Sequence, residues 1–391
     1  MNPDLFRKGG SGQVIQIGRG ETAFWAFLPN PLPPDLDFDR SMVNSLSSAD
    51  RALGELAGLG RTIPNPHLLI GPFVRREAVL SSRIEGTQTD IADLYAFEAE
   101  QMKLPGLTQR EEPGDAREVF NYVRAMEYGI KRQETIPISL RLLREVHGKL
   151  MEGVRGERAT PGEFRRSQNW IGPPGCRLNE ANFVPPPVDK MNEALSDFEK
   201  FLHEDLPIPP LIRLAMIHYQ FEAIHPFLDG NGRVGRLLIS LLLVNWGLLP
   251  QPLLYLSAFF ERKRQDYYDL LMAVSQKSDW KSWFQFFLSG VTEQARDAVL
   301  RAKNLQDIQT NWRSRLMDQK VSGGVFKIVD KLFENPIVTI PEAQQIMGVK
   351  QYATARKAIN VLESVGILEK TKDMKYGKTY IARAILRELG R

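Results

Sequence analysis

The stretch densest in chemistry is His225-Pro226-Phe227-Leu228-Asp229-Gly230-Asn231-Gly232-Arg233-Val234-Gly235-Arg236, set between two strongly apolar segments. Gly230 and Gly232 open backbone conformations closed to other residues, so consecutive N–H groups around Asn231 can converge on one point as an anion nest. A helix starting just after them adds free N–H donors and the positive end of its dipole. Arg233 and Arg236, three apart, share one face of that helix and can both reach a polyphosphate. These features together make a nucleotide-phosphate cradle. Asp229 supplies a hard oxygen ligand that could hold Mg²⁺ between protein and phosphates. His225, with an unperturbed pKa of about 6.5, can accept a proton at neutral pH, and a general base contributes roughly 10²–10⁴-fold to a rate. Taken singly, the glycines make a turn, the arginines sit in water and the histidine caps a helix. All of them within twelve residues favour the phosphate site.

The elements that must position this loop read as helices. Asp115 to Ile130, Ser139 to Met151, Val188 to Leu202 and Leu211 to Ile224 carry helical patterns, and in the last Leu211, Leu214, Ile217, Phe221 and Ile224 form one apolar stripe. Leu237 to Leu249, interrupted by Ser240 and Asn245, is shorter than the roughly 20 residues a membrane span needs and reads as a buried helix. The first forty residues, punctuated by Pro29-Asn30-Pro31 and Pro33-Pro34, predict an extended arm or short strands, with helices from about Met42. Between Trp170 and Pro187, Pro173-Pro174-Gly175 and Pro185-Pro186-Pro187 bracket an eight-residue segment that predicts a hairpin or flap. The fold class is therefore mainly α, a helical bundle with a small β-hairpin flap.

The last segment follows another pattern. Val325 to Phe333 predicts a helix stopped at Asn335-Pro336, and Thr339-Ile340-Pro341-Glu342 is a capping box opening a helix closed by Gly348. A third helix runs from about Thr354 to Gly366, and Ile367 to Ile381 alternates around Tyr376-Gly377 as a ribbon. Three short helices and a ribbon resemble a winged helix-turn-helix. The expected units are 1–110, an N-terminal arm and helix region; 111–290, the core; 291–320, a linker helix; and 321–391, the winged helix.

Composition narrows the class. The 391 residues include 43% hydrophobic and 25% charged, with a net charge of +4. From Val321 to Arg391 there are twelve basic residues against seven acidic, so the basic excess belongs to this segment alone. Lys350, Arg356 and Lys357 near its third helix and Lys370, Lys372, Lys375 and Lys378 in the ribbon could grip a phosphate backbone. Winged helices serve equally as protein-contact modules, and DNA binding stays open. A single cysteine, Cys176 in a Pro-Pro-Gly-Cys turn, excludes an internal disulfide and a cysteine-cluster metal site, as expected of a cytoplasmic protein. Met1 to Gly10 has no apolar run, so no secretory signal is expected.

The central run matches, at every specified position, His-x-Phe-x-(Asp/Glu)-Gly-Asn-Gly-Arg-x-x-Arg, and the chain thereby resembles the Fic family. Gly162-Glu163-Phe164-Arg165 with Gln168-Asn169-Trp170, and Tyr267-Tyr268 with Asp279-Trp280, agree with the family pattern, so the resemblance spans roughly Met42 to Leu288. It implies a protein adenylyltransferase that moves AMP from ATP to a Ser, Thr or Tyr hydroxyl and releases pyrophosphate. By that resemblance His225 deprotonates the hydroxyl and Asp229 holds Mg²⁺. Gly230, Asn231 and Gly232 bind phosphates, and Arg233 and Arg236 hold the outer ones. Tyr267 and Tyr268 are similar to the aromatic pair near the adenine, with ordinary core packing as the competing reading. Ser275 stands where many relatives carry an amide. The flap, Asn179 to Val184 with Asn182, Phe183 and Val184 as its docking residues, corresponds to the segment that pairs with an extended target.

Ser81-Ser82-Arg83-Ile84-Glu85-Gly86 ends a helix expected to begin at Pro72 and fits the inhibitory pattern (Ser/Thr)-x-x-x-Glu-(Gly/Asn). A carboxylate at a helix C-terminus faces an already negative dipole and is better satisfied by an external cation. In the family that cation is the second motif arginine, here Arg236, so Ser81 and Glu85 imply autoinhibition, and de-AMPylation by the same glutamate stays open. A different class of function is an ATP-sensing, DNA-binding transcriptional regulator without turnover; a third reading transfers another nucleotide or phosphate-bearing group. Expected partners are a hydroxyl-bearing protein target, the chain itself, DNA through residues 321–391 and a second copy as a homodimer, with no membrane.

Overall fold

The computed structural model describes residues 1–6, 9–20, 23–62, 67–103, 114–154, 160–319, 321–371 and 379–390. The N-terminal arm forms an antiparallel hairpin, β1 (Gly12–Ile17) with β2 (Phe24–Pro29), pairing Gly12 with Pro29 and Ile17 with Phe24. Helices then follow in succession: α1 (Arg40–Thr62), α2 (His67–Ile84), α3 (Ile91–Lys103), α4 (Asp115–Arg132), α5 (Leu140–Leu150), α6 (Val188–His203), α7 (Pro210–Ile224), α8 (Asn231–Asn245), α9 (Ser257–Arg262), α10 (Arg264–Lys277) and α11 (Trp280–Asp318).

The middle of the bundle is the pair α7–α8. Both are apolar nearly all round, from Leu211 to Ile224 and from Val234 to Leu243, which forces burial on every side. Helix α8 touches α4, α5 and α2, and α7 touches α6, α11 and β2, so neighbours enclose the loop joining the two from several directions. Helix α11 runs unbroken for 39 residues through the expected boundary at 290/291 and packs along α1. None of the described helices is long and apolar enough to cross a membrane.

The C-terminal part comprises α12 (Gly323–Glu334), β3 (Ile337–Thr339), α13 (Ile340–Met347), α14 (Tyr352–Ser364), β4 (Glu369–Lys370), β5 (Thr379–Ile381) and α15 (Arg383–Gly390), with its three short strands in the order β3-β5-β4. The capping box is present: the Thr339 hydroxyl accepts from the Glu342 amide at 3.4 Å, and the Glu342 carboxylate accepts from the Thr339 amide at 2.7 Å. Gly348, at φ 68°, closes α13 in the left-handed conformation. The Tyr376-Gly377 turn and Lys372, Lys375 and Lys378 lie outside the described residues. Sequence patterning did not anticipate β3 or α15. Strand β3, at three residues, is too short to carry a periodic signal, whereas α15 does carry one, with Ile385 and Leu389 buried four residues apart.

Two local expectations are corrected. Helix α2 begins at His67, with Pro72 inside it rather than at its start. The segment between Trp170 and Pro187 contains one antiparallel bridge, Ile171 to Phe183, and a 3-10 turn at Leu178–Glu180 instead of two strands. Its five prolines remove the donors a ladder needs. The two-stranded element of the core is β1–β2, and β2 reaches this segment through the Phe27 amide, which donates to the Val184 carbonyl at 2.8 Å.

Candidate active site

Helix α7 ends on His225, which adopts a left-handed conformation (φ 49°, ψ 61°) that is costly for a residue with a side chain and persists only where surroundings enforce it. The enforcing contacts are explicit. The His225 carbonyl accepts from Arg165 Nε at 3.0 Å and Asn169 Nδ2 at 3.3 Å. Two residues on, the Phe227 amide and carbonyl are both bound by the Asn231 side chain, each at 2.8 Å. The Phe227 ring stacks on His147 at 3.8 Å. His147 in turn accepts the Gly162 amide at Nδ1, 2.8 Å, and donates from Nε2 to the Asp229 carbonyl at 3.0 Å. The loop is thus held at four successive points, and Gly230, at φ 79°, supplies the turn into α8.

The His225 ring is half-buried, and its Nδ1 lies 3.3 Å from the Glu222 carbonyl. A carbonyl only accepts, so Nδ1 carries the proton and Nε2 presents the lone pair. Burial pulls the His225 pKa down to about 4, with Arg165 adding to the effect and the Glu222 carbonyl, Glu85 and Asp229 opposing it. The unperturbed value read from sequence is therefore too high, because desolvation was invisible there. At neutral pH the ring is uncharged throughout.

At the start of α8 the cradle is closed by Glu85. A Cβ placed on Gly232 would fall 2.4 Å from Glu85 Oε1 and 2.8 Å from Arg236 Nη1, so the carboxylate and the guanidinium rest directly on the glycine. Glu85 Oε1 accepts from Arg236 Nη2 at 2.6 Å, and Ser81 holds the same guanidinium through its hydroxyl at 2.9 Å and its carbonyl at 3.0 Å. Burial raises the Glu85 carboxyl, but Arg236, Arg233 and His225 outweigh it and leave the pKa below the usual carboxylate range. Arg236 is raised, since its burial is overcome by Glu85, Tyr267 and Glu222. An anion thus occupies the helix N-terminus, where the free N–H groups and the dipole favour one.

Arg233, 4% exposed, points elsewhere. Its guanidinium lies 3.2 Å from Glu118 and 3.4 Å from Asp229. The two arginines expected to share a phosphate are each engaged by a carboxylate of the protein. Asp229 is about half exposed, and its Oδ1 accepts the Gly230 amide at 2.6 Å. No group of three or more His, Cys, Asp or Glu able to hold a metal occurs among the described residues. Asp229, a half-exposed carboxylate just ahead of α8, suits a cation that takes its remaining ligands from phosphates and water, as Mg²⁺ does.

Tyr267 is buried, stacks on Phe260 at 4.5 Å and bonds His218 Nε2 through its hydroxyl at 2.8 Å, which is a packing position. Tyr268 beside it is 39% exposed. Ser275 is buried, 2.9 Å from the Tyr219 hydroxyl. In the flap Asn182 is exposed, whereas Phe183 and Val184 are buried, with Phe183 packed against Phe6 and Phe27. Cys176 is free and half-buried.

Sequence reasoning gave no role to His147, Asn169, Arg165, Glu222, Glu118 or Glu77. Arg165, 1% exposed, is the most informative omission, because it carries its charge into the core to hold the His225 turn, and burial lowers its pKa to about 10. The Gly-Glu-Phe-Arg run was the only signal that could have marked it. Glu77, one turn ahead of Ser81, accepts from Ser257 at 2.6 Å and Tyr122 at 3.1 Å, and burial raises its pKa to about 7.

The helical bundle thus fixes an imidazole at the end of α7 and a glycine-lined N-terminus on α8, joined by one tightly held loop. Residues 43–131 match the Fic/DOC family N-terminal model and residues 137–243 the Fic/DOC family model, and the chain belongs to this family. It is 29% identical over 223 residues to a protein adenylyltransferase Fic of Culex quinquefasciatus, covering 56% of this chain and 40% of that one. It is 27% identical over 222 residues to the Drosophila melanogaster protein of the same name, with the same coverage. The match therefore spans about two-fifths of the length of these curated relatives. Among solved structures, a Fic family protein from Desulfovibrio desulfuricans shares the fold with a TM-score of 0.56 at 21% identity, over 90% of this chain and 98% of that one.

Proposed function

We propose that the chain is a protein adenylyltransferase whose activity is held down by its own Glu85. The substrate hydroxyl oxygen attacks the α-phosphorus of ATP, the bond to the pyrophosphate group breaks, and the hydroxyl proton passes to His225 Nε2. The observation that carries this reading is the convergence of a neutral imidazole, whose Nε2 has no hydrogen-bond partner among the described residues, and a glycine-lined helix N-terminus already shaped around a carboxylate. Gly230 to Gly232 take the phosphates, and Arg236, released from Glu85, takes the outermost. Arg233 supports the cradle through Glu118 and Asp229. Asp229 would hold Mg²⁺, which would neutralise phosphate charge. Tyr268 borders the base, with Tyr267 packed behind it. The target segment lies along the flap at Asn182, which Phe183 and Val184 anchor to the N-terminal hairpin.

The three helices and short sheet of residues 323–381 support a winged-helix assignment for the C-terminal part, which we propose contacts duplex DNA. Lys350, Tyr352, Arg356 and Lys357 are all exposed at α14, a basic helix surface suited to phosphate contacts. Retardation of a duplex by the full chain, weakening steeply with salt and lost in Lys350→Ala/Arg356→Ala/Lys357→Ala, is the expected result. The lone thiol suits a reducing cytoplasm.

Incubation of the Glu85→Gly protein with each nucleoside triphosphate and Mg²⁺, followed by intact mass measurement, tests the main reading. The expected product is the chain or an added target protein heavier by one AMP group, formed with ATP and absent in His225→Ala. Binding of ATP with no mass change on the chain or on any target supplied in a cell extract would support the sensor reading instead.

A further inference from the structure

Glu85, just past the end of α2, faces the active site, while another side of α2 borders a second concavity. There α2, α9 and α15 border a cleft of about 550 Å³ whose walls carry Arg76, Arg83, Arg262, Arg383 and Arg387. The acids on the same walls are Asp90 and Glu261, and the apolar floor includes Val79, Ala258 and Leu386.

Three of the arginines pair with acids that do not line the cleft. Arg76 lies 3.5 Å from Asp297 and Arg383 2.5 Å from Glu369, and Arg262 pairs with Glu293. Arg83 and Arg387 are exposed and have no acid within ion-pair distance among the described residues. The positive charge is felt inside the protein, since burial together with Arg301 and Arg262 lowers Arg76 from its usual value, against Asp297 and Glu77. Arg83 and Arg387, brought from two elements to the walls of one cleft without a counter-charge among the described residues, are better satisfied when an anion sits between them.

We propose that this cleft binds a small polyanion carrying two or more phosphate or carboxylate groups, gripped chiefly by Arg83 and Arg387. Such a ligand joins the last turn of α2 to α15. Arg83 stands two residues ahead of Glu85, so the bound anion holds the end of α2 against α8. The regulatory consequence rests on the adenylyltransferase reading; the binding does not.

The test is calorimetric titration of the full chain at low ionic strength with inorganic tripolyphosphate, and separately with citrate, which distinguishes phosphate from carboxylate recognition. Binding is expected to persist in Arg236→Ala, which disables the cradle, and to weaken at least roughly tenfold, about 1.4 kcal/mol, in Arg83→Ala/Arg387→Ala. The conservative pair Arg83→Lys/Arg387→Lys should retain most of it. In hydrogen exchange, the ligand should slow the amides of residues 82–87. No binding of either anion to the wild-type chain overturns the proposal. So does binding that is lost in Arg236→Ala but unaffected in the double variant.

Discussion

Replacing Glu85 by glycine removes the carboxylate that rests on Gly232 and reaches Arg236 at 2.6 Å. A hydrogen bond between charged groups contributes about 1.5–3 kcal/mol, and the 36% exposure of the Glu85 side chain places this one near the lower end. About 1.5 kcal/mol corresponds to roughly a tenfold shift in occupancy of the cradle. Ser81 retains both of its hydrogen bonds to Arg236, so the guanidinium stays in place while its outer face is freed. The expected result is an initial rate of AMP incorporation from labelled ATP higher by on the order of tenfold at subsaturating ATP. Glu85→Gln, which keeps the shape and removes the charge, should fall between the two. Because Arg236 is 2% exposed and loses its counter-charge, the Glu85→Gly protein should melt earlier than wild type and recover with ATP. An unchanged rate in a folded Glu85→Gly protein that binds ATP no better than wild type would refute the reasoning.

Three further outcomes follow from the same geometry. With His225 held at about 4, kcat should lack an acid limb until about pH 5, and a limb centred near the ordinary imidazole value would show that the ring is not desolvated. Gly232→Ala sets a methyl where Glu85 and Arg236 now lie, so its ATP affinity, measured by calorimetry in the Glu85→Gly background, should drop by roughly tenfold or more, and an affinity equal to the parent's would show that the cradle is not the phosphate site. The Glu77 carboxyl keeps its proton to about pH 7 when folded but loses it near 4.5 when unfolded, so its stabilising contribution is present below 4.5 and is lost as pH rises through 7. Glu77→Gln should therefore gain stability relative to wild type on going from pH 5 to pH 8, on the order of 3 kcal/mol, as read from denaturant midpoints. A wild-type and variant difference independent of pH would reject the shift.

Much of the site was legible in the sequence because it is contiguous. His225, Asp229, the Gly-Asn-Gly turn and both arginines lie within twelve residues, and local rules of backbone freedom and helix termini act over that distance. The capping box at Thr339 and the stop at Gly348 were readable for the same reason. The pairing of the flap is not legible, because a short segment between prolines carries no information about which strand will pair with it.

Residue types and spacing thus determined the chemistry on offer: a base, a phosphate turn, an acid for a cation, and a carboxylate that needs a partner. Tertiary structure alone decided how those groups are set. It placed Glu85 on Gly232 across 147 positions of chain, turned Arg233 away to Glu118, and buried His225 so that it is neutral well below its ordinary pKa. The physical reason is that desolvation and Coulomb pairing depend on distance in space, and no pattern along the chain encodes that distance.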